Sequence, residues 1–206
     1  PDLAWDLLPM DRYRAHNWHC FGDLQREPYG SLYTTLGCPY HCSFCCIQAP
    51  FKAGEKALGF KEEINSYRYW SPSSVMAQID TLVQKYGVRN IKIADEMFVL
   101  NPKHVLGICD AIIERGYDLN IWAYARVDTV RDDMVEKLRR AGCRWLAFGI
   151  ESGSERVRND VQKGFGQEDI FKTIDKVRSA GIYVIGNFIF GLPDDTDQTM
   201  QETLDL

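Results

Sequence analysis

From residue 31 onward the chain alternates two spacings of apolar residues. Four stretches, 72–86, 102–115, 131–141 and 168–180, repeat on the helical period, with apolar sets such as Val75, Ile79, Leu82 and Val83, or Ile170, Ile174 and Val177. Two of them open on a capping residue followed by proline, Ser71-Pro72 and Asn101-Pro102. All four run into a glycine, Gly87, Gly116, Gly142 or Gly181, where positive φ lets the backbone leave the helix. A short apolar run follows each glycine, at 90–94, 120–125, 144–150 and 183–190, and 31–36 supplies a fifth. Strands entered from helices pair in parallel through right-handed crossovers, so the pattern predicts an α/β fold. An open doubly wound sheet would carry a glycine-rich phosphate turn after its first strand. None is present, and a barrel of the (β/α) type, complete or partial, is favoured.

Residues 1–30 show no period and read as a lead-in, whereas no linker interrupts 31–206, which reads as one domain. The final residues still follow an amphipathic helical pattern, and the chain is expected to be a segment of a longer protein. The stretch from Cys46 to Trp70 exceeds an ordinary βα connection and is expected to be a functional loop, with Lys52, Lys56, Lys61, Glu62 and Glu63 forming a solvated surface.

Composition narrows the partners. Of 206 residues, 45% are hydrophobic and 26% charged, enough for a buried core. Lysine and arginine number 24 against 29 acids, a net charge of -5 that leaves no basic stripe for a phosphate backbone, so nucleic acid is an unlikely partner. The longest apolar runs reach about half of the roughly 18 residues that a membrane span needs. Of seven cysteines, Cys38, Cys42, Cys45 and Cys46 crowd into one short segment, while Cys20, Cys109 and Cys143 lie apart and read as small buried hydrophobes. Such a cluster points to metal binding in a reducing compartment, here the cytoplasm.

Candidate chemistry falls where strands end. Cys38, Cys42 and Cys45 follow the first predicted strand, Asp95 and Glu96 the second, Arg126 and Asp128 the third, Glu151 and Ser152 the fourth, and Asp194 the fifth. A parallel barrel gathers those ends on one face, where such folds place their active sites. Thiolates spaced x3 and x2 on one loop can ligate three irons of a cubane and leave the fourth open for a ligand. A structural zinc or inert cluster site is the alternative. Cys46 could be a fourth ligand, although adjacent cysteines point apart, and His41 reads as a solvated spacer.

The run Cys38-Pro39-Tyr40-His41-Cys42-Ser43-Phe44-Cys45 resembles the signature of the radical S-adenosylmethionine (SAM) enzymes. The resemblance implies a partial (β/α)6 TIM-like barrel whose last strand lies beyond this segment. It implies a 4Fe-4S cluster on Cys38, Cys42 and Cys45 whose free iron chelates SAM, with Phe44 near adenine. Ala94-Asp95-Glu96 lies where the family contacts the SAM amino group, so Glu96 or Asp95 is expected to accept that hydrogen bond, although the family's glycines are absent. Arg126 matches a position that meets the SAM carboxylate, Glu151 with Ser152 one that binds ribose, and Ile189 one that lies against adenine. Asp194 stands where the family has glutamate, and Asn187 where it has glycine.

The segment from Leu3 to Arg14, and the Gly149–Ser154 and Phe190–Pro193 runs, resemble the cobalamin-dependent members, in which a linker joins an N-terminal cobalamin domain to the barrel. No Asp-x-His-x-x-Gly run, the usual cobalt-binding signature, occurs in the chain. The implied function is reductive cleavage of SAM to a 5'-deoxyadenosyl radical that drives cobalamin-dependent methyl transfer to an unactivated centre of a small-molecule substrate. An electron donor such as flavodoxin or ferredoxin is the implied partner. The alternatives are a radical SAM methylthiotransferase acting on tRNA and a non-catalytic metal-binding module.

Overall fold

A computed structural model describes residues 3–21 and 25–206, so residues 1–2 and 22–24 of the lead-in lie outside the described residues. A five-stranded parallel sheet runs in the order β1 (Tyr29–Leu32), β4 (Asn90–Ile93), β5 (Asn120–Ala125), β6 (Cys143–Glu151) and β7 (Tyr183–Phe188). Between them lie α2 (Pro72–Tyr86), α3 (Pro102–Glu114), α4 (Asp132–Arg140) and α6 (Gln167–Ser179). The α/β alternation is as predicted and agrees with a partial TIM-like barrel. Ser71 Oγ accepts from Ser74 N at 3.2 Å and Asn101 Oδ1 from His104 N at 3.3 Å, so both predicted caps form. Gly87, Gly116, Gly142 and Gly181 hold φ of 66°, 64°, 92° and 78°. A Cβ on Gly142 would also stand 2.3 Å from the Leu119 carbonyl oxygen.

The two faces of the sheet differ. Ile91 and Ile93 of β4, Ile121 and Ala123 of β5, and Leu146 and Phe148 of β6 are buried in one core with Ile79 and Leu82 of α2, Ile108 and Ile112 of α3, and Met134 and Leu138 of α4. Strand alternation turns the intervening residues, among them Lys92, Trp122, Tyr124 and Trp145, to the other face. Among the described residues no helix is long and apolar enough to cross a membrane.

Three predicted features take a different form. The strand expected at 31–36 divides, because Thr34 turns inward to Asp95: β1 joins the large sheet, while β2 (Thr35–Leu36) pairs antiparallel with β3 (Arg68–Tyr69). The stretch after Cys46 contains α1 (Ala49–Ala57), a nine-residue helix with Pro50 in its first turn and Gly54 at its centre, too short to show a repeating period. Lys52, expected on a solvated surface, donates to the carbonyls of Glu62 (3.0 Å) and Ile64 (2.8 Å) and pairs with Glu55 at 3.4 Å, closing the loop on itself. Two further helices, α5 (Glu155–Asp160) and α7 (Asp197–Asp205), follow β6 and β7.

The described part of the lead-in is built into the domain. Trp5 and Met10 enter the main core, and Trp5 Nε1 donates to Gln78 at 3.0 Å. His19 Nε2 donates to the Asn120 carbonyl at 3.0 Å, Asn120 Nδ2 returns a bond to the His19 carbonyl at 2.9 Å, and Cys20 Sγ reaches Asn90 Oδ1 at 3.3 Å. These bonds fasten the lead-in to the first residues of β4 and β5.

Burial lowers the His19 pKa from 6.5 to about 4. The unfolded chain therefore takes up this proton first as pH falls: the stabilisation is whole above pH 6.5 and is lost between 6.5 and about 4. Over that window it amounts to on the order of 3 kcal/mol. Burial shifts His104 in the same direction, so the test is a difference between variants. Urea unfolding at pH 7.5, 6 and 5 should show a shallower pH slope in His19→Gln, whose amide can still donate to Asn120, than in the wild type. Equal slopes would show that His19 does not carry the effect.

Candidate functional site

The cysteine loop begins just past β2 and is held from both sides. On one side the segment after it folds back: Gln48 Nε2 donates to the Cys38 carbonyl at 2.5 Å and to that of Ser66 at 3.2 Å, and Asn65 Nδ2 donates to the Tyr40 carbonyl at 2.6 Å. The long connection is thus a brace for the loop. At its root Gly37 has φ 84°, and a Cβ there would stand 2.4 Å from the Ser66 carbonyl oxygen. On the other side Ser43 N donates to the Val161 carbonyl at 3.3 Å.

Cys38, Cys42 and Cys45 line one cavity of about 340 Å³, and Cys46 lines it too. Among the described residues no three His, Cys, Asp or Glu side chains converge on a single ion. A cubane presents its irons at separate corners and takes ligands more widely spaced than one ion does, so thiols gathered around one cavity fit such a cluster. Burial raises the Cys38 pKa while the Arg126 guanidinium opposes that rise.

Arg126 lies between this loop and the end of β6. It is 4% exposed; Nε meets Asp128 Oδ1 at 2.7 Å, Nη1 points at Cys42 Sγ at 3.7 Å, and Nη2 donates to the Lys163 carbonyl. The Tyr40 ring covers its face at 4.1 Å. Expected to meet a carboxylate of SAM, this guanidinium is instead engaged within the protein and ties the cysteine loop to β5.

The neighbouring carboxylates have separate surroundings. Asp95 is fully buried and accepts from Thr34 N (2.6 Å) and Thr34 Oγ1 (2.5 Å), while His104 Nε2 lies 3.0 Å from that hydroxyl. Burial raises the Asp95 pKa and the Thr34 bonds oppose the rise. With both oxygens engaged away from the mouth, Asp95 anchors the root of the cysteine loop rather than facing a ligand. Glu96 is half-buried and accepts from Gly37 N at 3.2 Å, which makes it the mouth-facing member of the pair.

Glu151 ends β6 with φ 71°, a conformation uncommon outside glycine. Its Oε1 pairs with Lys163 Nζ at 2.8 Å, each side chain about nine-tenths buried, and Lys163 Nζ also donates to the Gly149 carbonyl at 3.1 Å. A Cβ on Gly149 would stand 2.5 Å from Glu151 Oε1, so the missing side chain makes room for this pair. Lys163 was not among the predicted residues. It stands between Gln162 and Gly164 with no motif around it, and its link to Glu151 exists only through the fold. Ser152, expected at the ribose, is fully buried beneath α7 instead: its hydroxyl lies 3.3 Å from Thr203 Oγ1 and accepts from Ser154 N at 3.1 Å. Phe44 and Ile189, read from separate motifs, pack on one small cluster of Val157, Val161 and Leu192. They form an apolar shelf beside the cysteine loop, and Lys163 Nζ lies 6.0 Å from the Phe44 ring. The Asp194 backbone carbonyl accepts from Arg156 Nη2 at 2.9 Å.

Known proteins resemble this chain in sequence and in fold. An uncharacterized methyltransferase of Pyrococcus horikoshii is 29% identical over 204 residues, which cover 99% of this chain and 40% of that protein. The structure of TsrM from Kitasatospora setae, a radical S-adenosylmethionine methyltransferase with cobalamin and a [4Fe-4S] cluster bound, superposes with a TM-score of 0.72 at 20% identity, covering 95% of this chain and 38% of that one. OxsB, a cobalamin-dependent S-adenosylmethionine radical enzyme with aqua-cobalamin bound, gives 0.67 at 23% identity over 85% of this chain and 26% of that one. The chain therefore spans two fifths or less of the length of these relatives. The Radical SAM superfamily model matches residues 32–206, from the end of β1 through the cysteine loop to the last residue, and the chain belongs to the radical SAM superfamily.

Proposed function

We propose that this chain is the catalytic barrel of a cobalamin-dependent radical SAM methyltransferase that acts on a small-molecule substrate. The observation that carries the reading is the cavity lined by Cys38, Cys42 and Cys45 on the loop that also carries Phe44, within a chain of this superfamily. When bound, the cluster and SAM supply one-electron cleavage of a sulfonium C–S bond. The chain's own residues position and shield. Phe44 and Ile189 offer apolar faces suited to a planar base, Glu96 is placed to accept from an ammonium, and Glu151 from hydroxyls. Lys163 Nζ lies 6.0 Å from the Phe44 ring and holds Glu151 in place through their ion pair.

The methyltransferase part rests on the relatives named above. The described residues supply no evident cobalt ligand: His19 and His104 are buried, His41 lies 3.3 Å from Asn65 Nδ2, and His16 stacks on Trp18. The same reading places the protein in the cytoplasm, with a flavodoxin or ferredoxin as electron donor.

Anaerobically reconstituted protein should hold about four iron and four sulfide per chain. Ala at Cys38, Cys42 or Cys45 should abolish the cluster, and Cys46→Ala should retain it. Zinc filling the wild-type site in iron-replete expression, or loss of iron in Cys46→Ala, would count against the three-cysteine centre.

Because Arg126 touches Cys42, Arg126→Ala should lose iron together with SAM binding. Glu151→Gln should keep the iron and weaken SAM by about 1.5 to 3 kcal/mol, the worth of a hydrogen bond to a charged group. Iron content and SAM titration on the two proteins separate these effects. An Arg126→Ala protein with full iron content would remove that residue from the support of the loop.

A further inference from the structure

Below the cysteine loop, the sheet face opposite the helices carries an aromatic basin. Lys92, Trp122, Trp145 and Tyr183 are successive register partners across β4, β5, β6 and β7. Trp18 of the lead-in meets Trp122 and Trp145 edge-on, at ring-centroid distances of 5.2 and 5.4 Å, and closes the basin from beneath. Tyr124 adds a ring 5.1 Å from Trp122, and Tyr183 one 4.6 Å from Trp145.

One cation projects into this basin. Lys92 Nζ lies 4.5 Å from the centre of the Trp122 ring and 5.6 Å from that of Tyr124. It is half-buried, and among the described residues no carboxylate or carbonyl accepts from it. Every other lysine withdrawn from solvent has an oxygen partner: Lys52 and Lys163 as described above, Lys137 with Asp110 at 2.7 Å, and Lys176 with Asp132 at 2.6 Å. Cation–π contact offsets part of the desolvation cost, roughly 0.5 to 2 kcal/mol. Burial nevertheless lowers the Lys92 pKa, the mark of an ammonium short of counter-charge.

We propose that this basin holds the body of the substrate, and that Lys92 binds an anionic group, carboxylate or phosphate, carried on a planar apolar framework. The inference rests on the reading of the cysteine loop as a radical SAM centre and adds a substrate class to it.

The probes are 1-naphthoate, 1-naphthyl phosphate and the neutral 1-naphthalenemethanol, titrated calorimetrically into anaerobically reconstituted wild type, Lys92→Met and Lys92→Arg. At least one anion should bind wild type about tenfold tighter than the alcohol. The preference should vanish in Lys92→Met, which still binds the alcohol, and survive in Lys92→Arg. Whichever anion is preferred assigns the group as carboxylate or phosphate. The proposal is overturned if wild type binds all three alike, a result independent of any variant's folding, or if Lys92→Met keeps the preference. Iron content and SAM cleavage on the same wild-type samples keep the two readings apart. Anion preference in protein that takes up no iron would leave the basin standing and remove the radical SAM centre; iron and SAM cleavage without anion preference would do the reverse.

Discussion

Withdrawing a guanidinium from water costs several kcal/mol unless its N–H groups find acceptors, and the acceptors of Arg126 come from three separate stretches of chain. Asp128 lies in the turn just past β5, Cys42 belongs to the cysteine loop, and the Lys163 carbonyl lies beyond α5. Tyr40 covers the guanidinium from the loop side, and Phe165 lies 5.2 Å away on the other. Displacing any one of these partners would leave a buried charge partly unpaired, so the ends of β5 and β6 and the cysteine loop are constrained together. Asp95 applies the same logic at the root of the loop, where two bonds from Thr34 divert the chain out of the large sheet and toward Cys38.

Around these two anchors the sheet divides its labour. Its helix face is filled by branched and aliphatic side chains whose burial stabilises the fold. The other face carries charge and rings that contribute less to a core than their size allows. Lys92 and Tyr124 could pack as tightly as Ile91 and Ile121 do, yet both remain partly open and one of them is charged. The lead-in matters here because Trp18 and His19 close the floor beneath those rings. A stretch without period in the sequence thus becomes a wall of the basin, its order coming from contacts with β4 and β5.

The helices and strands were legible because each is a local matter. Apolar spacing, a Ser or Asn cap before proline and a terminal glycine act within a few residues, and the observed boundaries of α2, α3, α4 and α6 follow them closely. The cysteine triad was legible for the same reason, since x3 and x2 spacing on one loop needs no fold to bring the thiols together. The convergence of strand ends on one mouth followed from parallel topology alone.

Which of those strand-end residues face the mouth was decided by tertiary structure, because facing depends on partners distant in sequence. Asp95 and Glu96 are adjacent, yet Thr34 captures one and leaves the other at the mouth. Ser152 is covered by Thr203, 51 residues away, and Arg126 turns to acceptors up to 84 residues distant. Lys163 became visible only when Glu151, in its left-handed conformation, reached it across α5. The sequence by itself determined the fold class, the alternation of the main helices and strands and the spacing of the cysteine triad, all set at short range. Only the folded chain, by deciding which buried polar groups satisfy one another, determined which charges were left to meet a ligand.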